Sequence, residues 1–197
     1  MDVDAKTVKT LRDKTGAGMM DCKKALAETG GDMEKAIIYL REKGIASASK
    51  KSGRATREGR IVFYMHPGDK LGVMLEVNCE TDFVARGEKF IEFTRDIAMH
   101  IAAAAPRYLT KDEIPADVLA QERSIYRTQA LNDGKPENIV DKIVEGRMSK
   151  FAAEVCLLEQ PFVKDDKVKI SDFIKNGIAT FGENISIARF ARFKIGE

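Results

Sequence analysis

Between residues 71 and 101 the apolar repeat switches from every second residue to every third or fourth, and this switch constrains the fold most. Leu71, Val73, Leu75 and Val77 alternate with Gly72, Met74, Glu76 and Asn78, the period of a half-buried strand. The alternation stops at Cys79-Glu80. Beyond Thr81-Asp82-Phe83-Val84, the residues Phe90, Phe93, Ile97 and Ile101 recur at spacings of three and four, which predicts a long amphipathic helix. Thr81–Val84 therefore lies at a strand-to-helix corner, and loops on rigid supports commonly carry function. The residues alone leave two readings open. Thr81 or Asp82 caps the helix with Phe83 as its hydrophobic staple, or the four residues form a contact surface.

Composition narrows the class. The chain has 197 residues, 44% hydrophobic and 32% charged, with a formal net charge of +2. These values predict an ordinary globular protein and give no composition-based case for a nucleic-acid binder. No apolar run approaches the ~20 residues of a membrane helix, and Met1-Asp2-Val3-Asp4 does not read as a signal peptide. Cys22, Cys79 and Cys156 are odd in number and far apart, with no C-x-x-C pair. A disulfide framework and structural zinc are thus poorly supported, and a reducing cytoplasm is the expected setting.

The N-terminal part reads as three short helices. Val8 and Leu11 start the first apolar face, and Gly16-Ala17-Gly18 breaks it. A second helix opens near Asp21 and carries Ala25 and Leu26. Gly30-Gly31 ends it, Asp32 is an N-cap candidate, and Ala36, Ile37 and Leu40 form a third face with Gly44 as the expected stop. These lengths predict a three-helix domain of the ubiquitin-associated type over residues 1–46. Residues 47–60 mix Ser47, Ser49, Ser52 and Gly53 with Lys50, Lys51, Arg54, Arg57 and Arg60. They read as a solvated basic linker, helical in part, or as an electrostatic contact with an acidic partner or RNA. No aromatic side chains are interleaved for base stacking.

Residues 61–197 form the expected core. Ile61, Phe63 and Met65 alternate with Val62 and Tyr64, and His66-Pro67-Gly68-Asp69 is a turn signal, so the first two strands should pair as an antiparallel hairpin. After Ala105-Pro106 ends the long helix, another is expected over Ala116–Leu131. A further one, opened by Pro136, is lined by Val140, Val144, Met148, Phe151, Val155 and Leu158 and ended by Gln160-Pro161. Ser171 is an N-cap candidate for a helix with Ile174, Ile178 and Phe181, stopped by Gly182. Residues 185–195 read as a third strand. The fold class is α+β: the three-helix domain plus a helical core packed on a three-stranded antiparallel sheet. Helices can cover one face of so small a sheet, and a second copy of the chain is expected to cover the other as a twofold dimer.

Catalytic signatures are not visible. There is no G-x-x-x-x-G-K-[ST], G-x-G-x-x-G or H-E-x-x-H pattern. His100 reads as a helix-surface or core histidine, and Asp165-Asp166 as part of a charged turn. Neither an enzyme nor a cofactor is expected.

Three stretches carry a family resemblance. Asn78-Cys79-Glu80-Thr81-Asp82-Phe83-Val84-Ala85-Arg86 resembles the signature of bacterial elongation factor Ts. So do Leu11 through Leu26, containing Gly16-Ala17-Gly18-Met19-Met20-Asp21-Cys22-Lys23, and Asn132-Asp133-Gly134-Lys135-Pro136 through Leu158-Glu159-Gln160-Pro161-Phe162. The resemblance implies a guanine-nucleotide exchange factor that binds elongation factor Tu carrying GDP. It implies that Thr81, Asp82, Phe83 and Val84 press on the partner's nucleotide site and dislocate its magnesium. It also implies that Met19, Met20 and Lys23 touch the partner's nucleotide domain. For these N-terminal positions the alternative is that one methionine packs inside and Lys23 is solvated. A short form of the family is implied, without a second core subdomain or long coiled coil, as a homodimer forming a 2:2 assembly. Two rival readings remain, a ubiquitin-associated-type adaptor for helical or peptide partners and an RNA binder using Lys50–Arg60.

Overall fold

The computed structural model describes residues 3–197, without the side chains of residues 45 and 47. The Met1-Asp2 start and the Ser47 side chain, used in the readings above, lie outside the described residues. The chain forms two compact units. One comprises residues up to Val62 with Glu76–Thr94 and Asp172–Ala188, the other Phe63–Leu75, Arg95–Ser171 and Arg189–Glu197.

The first unit begins with α1 (Ala5–Thr15), α2 (Met19–Glu28) and α3 (Met33–Lys51). Val8, Leu11, Cys22, Ala25, Leu26, Ala36 and Leu40 form their common core, as the three-helix reading expects. α1 stops where Gly16 turns left-handed. Asp32 caps α3 by accepting from the Lys35 N–H at 3.0 Å. The expected stop at Gly44 is corrected, because α3 runs on to Lys51. A Cβ on Gly44 would stand 3.1 Å from the Cβ of Ala179, in α8 (Ile170–Phe181). The glycine therefore marks a close approach of two helices. Lys50 and Lys51 occupy the last turn of α3, where cations suit the helix dipole.

The sheet consists of β1 (Glu58–Met65), β2 (Leu71–Cys79) and β5 (Ser186–Lys194), in the order β1-β2-β5. It is antiparallel, as expected. The His66 N–H donates to the Leu71 carbonyl at 2.9 Å and closes the first turn. Val73, Leu75 and Val77 are buried, in keeping with the alternation. The corner is a single helical turn, α4 (Asp82–Ala85), followed by α5 (Glu88–Ala104). In the first unit, α5 is anchored on α8 by aromatic rings. Phe93 stacks on Phe173 with centroids 4.8 Å apart, and Phe181 meets Phe90 edge-on at 5.4 Å. Gly177 makes room for this cluster, because a Cβ there would fall 2.7 Å from the Phe93 ring. α8 starts at Ile170, so Ser171 lies inside its first turn and is not the cap.

The second unit contains a helical hairpin, α6 (Ala116–Asn132) and α7 (Glu137–Val155). Its core includes Ala130, Val140, Val144, Met148, Phe151 and Val155. Arg123–Glu145 and Arg127–Asp141 ion pairs bridge the two helices. α7 ends at Val155, earlier than the expected Gln160, and Leu158 belongs to a short 3-10 turn. A two-stranded hairpin of β3 (Pro161–Phe162) and β4 (Asp165–Lys169) was not foreseen. It is too short to show a period. Asp165-Asp166 accordingly opens a strand rather than forming a turn.

His100 is fully buried in this unit. Its Nδ1 accepts from the Val163 N–H at 3.2 Å, and its Nε2 faces Gln160 Oε1 at 3.0 Å. The Gln160 amide nitrogen donates to the Ala104 and Glu154 carbonyls, which leaves Oε1 as the acceptor. The imidazole is therefore neutral with its proton on Nε2. Burial pushes its pKa down, partly opposed by the Gln160 bond. A depressed folded-state pKa means that the unfolded chain takes up the proton first. Stability from this residue is full above the unfolded value of about 6.5 and is lost as pH falls from there towards the folded value. Between pH 7.5 and 5.5 the urea midpoint should fall, by at most about 1.4 kcal/mol of stability from this one group. In His100→Gln that pH-dependent component should vanish, and an equal fall in the variant would refute the assignment.

Candidate functional site

The corner residues are held from several directions. Thr81 is extended and caps α4, its Oγ1 accepting from the Val84 N–H at 3.4 Å. The same hydroxyl donates to Glu183 Oε1 at 2.6 Å. Glu183 Oε2 accepts from the N–H groups of both Glu80 and Thr81 at 3.0 Å. The Thr81 carbonyl accepts from Ala85 N–H at 3.2 Å and from the Cys79 thiol at 3.2 Å. Burial, reinforced by the Glu183 charge, pushes the Cys79 thiol pKa up, so it stays protonated and able to donate. Downstream, the Arg60 guanidinium donates to the Ala85 carbonyl at 3.3 Å, and Arg86 pairs with Asp82 at 2.9 Å.

A second set of bonds clasps the same loops in the opposite direction. Glu80 Oε1 accepts from the Asn184 N–H at 2.6 Å and meets the Arg54 guanidinium at 3.5 Å. Asn184 is buried, and its amide donates to the carbonyls of Ser52 and Arg54 at 3.3 and 2.7 Å. The segment after α3 is thereby tied to the corner.

On this support Phe83 is 89% exposed. A staple would be packed, so the staple reading is overturned, while Thr81 is the cap that the sequence allowed. Asp82 is exposed and Val84 half-buried. Thr81 to Val84 thus form one contiguous corner with an unpacked aromatic ring. A shallow groove beside it is lined by Phe83, Val84, Lys89, Phe90, Thr180 and Phe181.

The N-terminal candidates sit at the start of α2. Met19 is 44% and Met20 76% exposed, and Lys23 is exposed as well. Neither methionine packs inside, contrary to the alternative raised from the sequence. Both leave apolar, adaptable side chains in water. Ile38 in α3 is also exposed and was missed, since its neighbours Ala36, Ile37 and Leu40 carried the period.

Glu183 and Asn184 were missed too. Glu183 lies 102 residues from Thr81 in sequence, and an isolated Glu-Asn pair after Gly182 carries no signal of such a contact. Among the described residues, no group of three or more His, Cys, Asp or Glu could hold a metal ion. No described helix is long and apolar enough to cross a membrane.

Comparison with known proteins adds the remaining element. The model of the family "Elongation factor TS" matches residues 33–197. An elongation factor Ts of Geobacter metallireducens is 58% identical over all of this chain and 91% of its own length. That of Solidesulfovibrio magneticus is 58% identical over 99% of this chain and 98% of its own. A third, from Carboxydothermus hydrogenoformans, is 55% identical over 99% and 90%. With the corner resembling the family's signature and the match extending over both units, the chain belongs to the elongation factor Ts family of translation elongation factors.

Proposed function

We propose that this chain is a guanine-nucleotide exchange factor for elongation factor Tu, acting in the cytoplasm without covalent chemistry of its own. The observation that carries the reading is Phe83, an exposed ring on a corner that the Thr81 cap and the Glu183 carboxylate hold from within the chain. A ring so mounted can enter a partner without first being pulled from a core. A GTPase holds its nucleotide through a phosphate loop and a bridging magnesium ion. Displacing the magnesium or its ligands leaves phosphate charge unneutralised, and GDP departs.

The energetics require a broad contact. A thousandfold faster release takes about 4 kcal/mol off the barrier, whereas burying one phenylalanine contributes roughly 1.5–3 kcal/mol. Asp82 and Val84 beside the ring, and Met19, Met20 and Lys23 on the N-terminal domain, supply further contact. Domain 1–46 and core 61–197 would grip the partner at separate places, joined by the basic stretch 47–60. By linkage, nucleotide weakens binding of the factor as much as the factor weakens binding of nucleotide. The factor therefore stays bound until GTP enters and ejects it, ready for another cycle.

Self-association belongs to the same proposal. In the second unit Phe63, Met65, Phe193 and Ile195 are 60–73% exposed and line one groove with Leu71 and Met74. Contiguous apolar side chains of this kind mark an interface. A second copy fits because a twofold axis sets the same strand residues against each other. The assembly would hold two factors and two partners.

The test is release of a fluorescent GDP from elongation factor Tu. This chain should accelerate it at substoichiometric concentration. Release at the unassisted rate, with the chain folded and in excess, would refute the reading.

A further inference from the structure

A single turn of helix cannot hold itself in place, because nucleating one turn is unfavourable. α4 is only four residues long, yet it carries the exposed ring. What shapes it must come from elsewhere in the chain. Three donors from two successive residues, the Glu80 and Thr81 N–H groups and the Thr81 hydroxyl, converge on one carboxylate, that of Glu183. Bonds of this charge-assisted kind are among the stronger ones in a protein.

We infer that Glu183 is the positioning residue of the Phe83 tip: from the loop after α8 its carboxylate holds the strand-to-helix corner in the shape that presents the ring. The inference rests on the exchange-factor reading and deepens it. By accepting a hydrogen bond from the Thr81 hydroxyl, Glu183 turns that hydroxyl's lone pair towards the Val84 N–H. One carboxylate thereby fixes both the entry of the chain into α4 and its first-turn cap. Asn184, the next residue, returns the clasp through Glu80. The loop of residues 183–184 thus acts as a jig for the tip, and it follows directly on α8, whose Phe173 and Phe181 pack against Phe90 and Phe93. Thr81 has its N–H, carbonyl and hydroxyl engaged within the chain. Its part in exchange is therefore to hold the corner, while Phe83 makes the contact. A preformed corner matters because ordering a loose one during engagement would subtract from the binding energy available to deform the partner.

The test compares full-length parent, Glu183→Ala, Glu183→Gln and Phe83→Ala. Release of fluorescent GDP from elongation factor Tu is followed against factor concentration, and amide hydrogen exchange is read at Glu80 and Thr81. Glu183→Ala should slow release at saturating factor about fivefold while the half-saturating concentration moves less than about twofold. Exchange at the two amides should quicken. Glu183→Gln keeps an oxygen that can accept from both backbone N–H groups and should recover most of the rate, also serving as the test if the alanine variant folds poorly. A parental saturating rate in Glu183→Ala, with Phe83→Ala slow, overturns the assignment and leaves the exchange reading standing. A loss confined to the half-saturating concentration, or no recovery in Glu183→Gln, overturns it as well. A parental Phe83→Ala removes both, with the amide exchange still showing whether the clasp exists.

Discussion

Phe83→Ala slows stimulated release of GDP from elongation factor Tu by about tenfold or more, while circular dichroism and the thermal midpoint stay parental. The rate effect follows from the ring being the part that must be buried in the partner. Losing about 1.4 kcal/mol of transition-state stabilisation is tenfold in rate. Burial of a phenylalanine is worth roughly 1.5–3 kcal/mol, so tenfold is the lower end of the range. The unchanged fold follows from 89% exposure: nothing in the chain packs on this ring, so its removal opens no cavity. Separating the two effects is the purpose of the measurement. A variant that exchanges as fast as the parent would make the ring incidental. Slow exchange accompanied by a falling midpoint would mean that the ring packs against the chain in solution.

Phe193→Asp weakens self-association about a hundredfold or more, measured by sedimentation across a concentration series, with the monomer's fold intact. Twofold symmetry counts every interface residue twice. Loss of two buried rings, each worth roughly 1.5–3 kcal/mol, removes at least about 3 kcal/mol, and each 1.4 kcal/mol is tenfold in affinity. Two carboxylates brought towards an apolar interface add a desolvation cost. Phe193 is 69% exposed in the single chain, which is why the substitution should spare the fold. A parent that sediments as a monomer at micromolar concentration would end the dimer proposal and leave the apolar strand residues without an occupant. Both experiments can share one preparation. A dimer-breaking variant that still exchanges nucleotide would show that one copy suffices at each partner.

The elements whose physics is periodic were legible in the chain. The alternation of Leu71 to Val77, the recurrence of Phe90, Phe93, Ile97 and Ile101, and the face Val140–Val155 each repeat a local geometric constraint several times. Breakers such as Ala105-Pro106 and Gly182 mark where that constraint ends. The corner at Thr81–Val84 was visible because two periods meet there. Its cap was visible because capping spans only three residues. The sequence also raised the choice between staple and contact surface for Phe83, and left it open.

Only the tertiary structure decided matters that depend on residues far apart in the chain. Gly44 looks like a helix stop until Ala179 is found beside it. Phe83 can be read as a staple or as a contact residue until its ring is found exposed. Glu183 looks like an ordinary surface carboxylate until three donors from positions about a hundred residues earlier meet on it. The physical reason is common to all three. Helix and strand periods arise from bonds between near neighbours, so they are written into each segment. A close approach, an exposed ring or a shared carboxylate is a relation between segments, and it comes into being only when the chain has closed on itself.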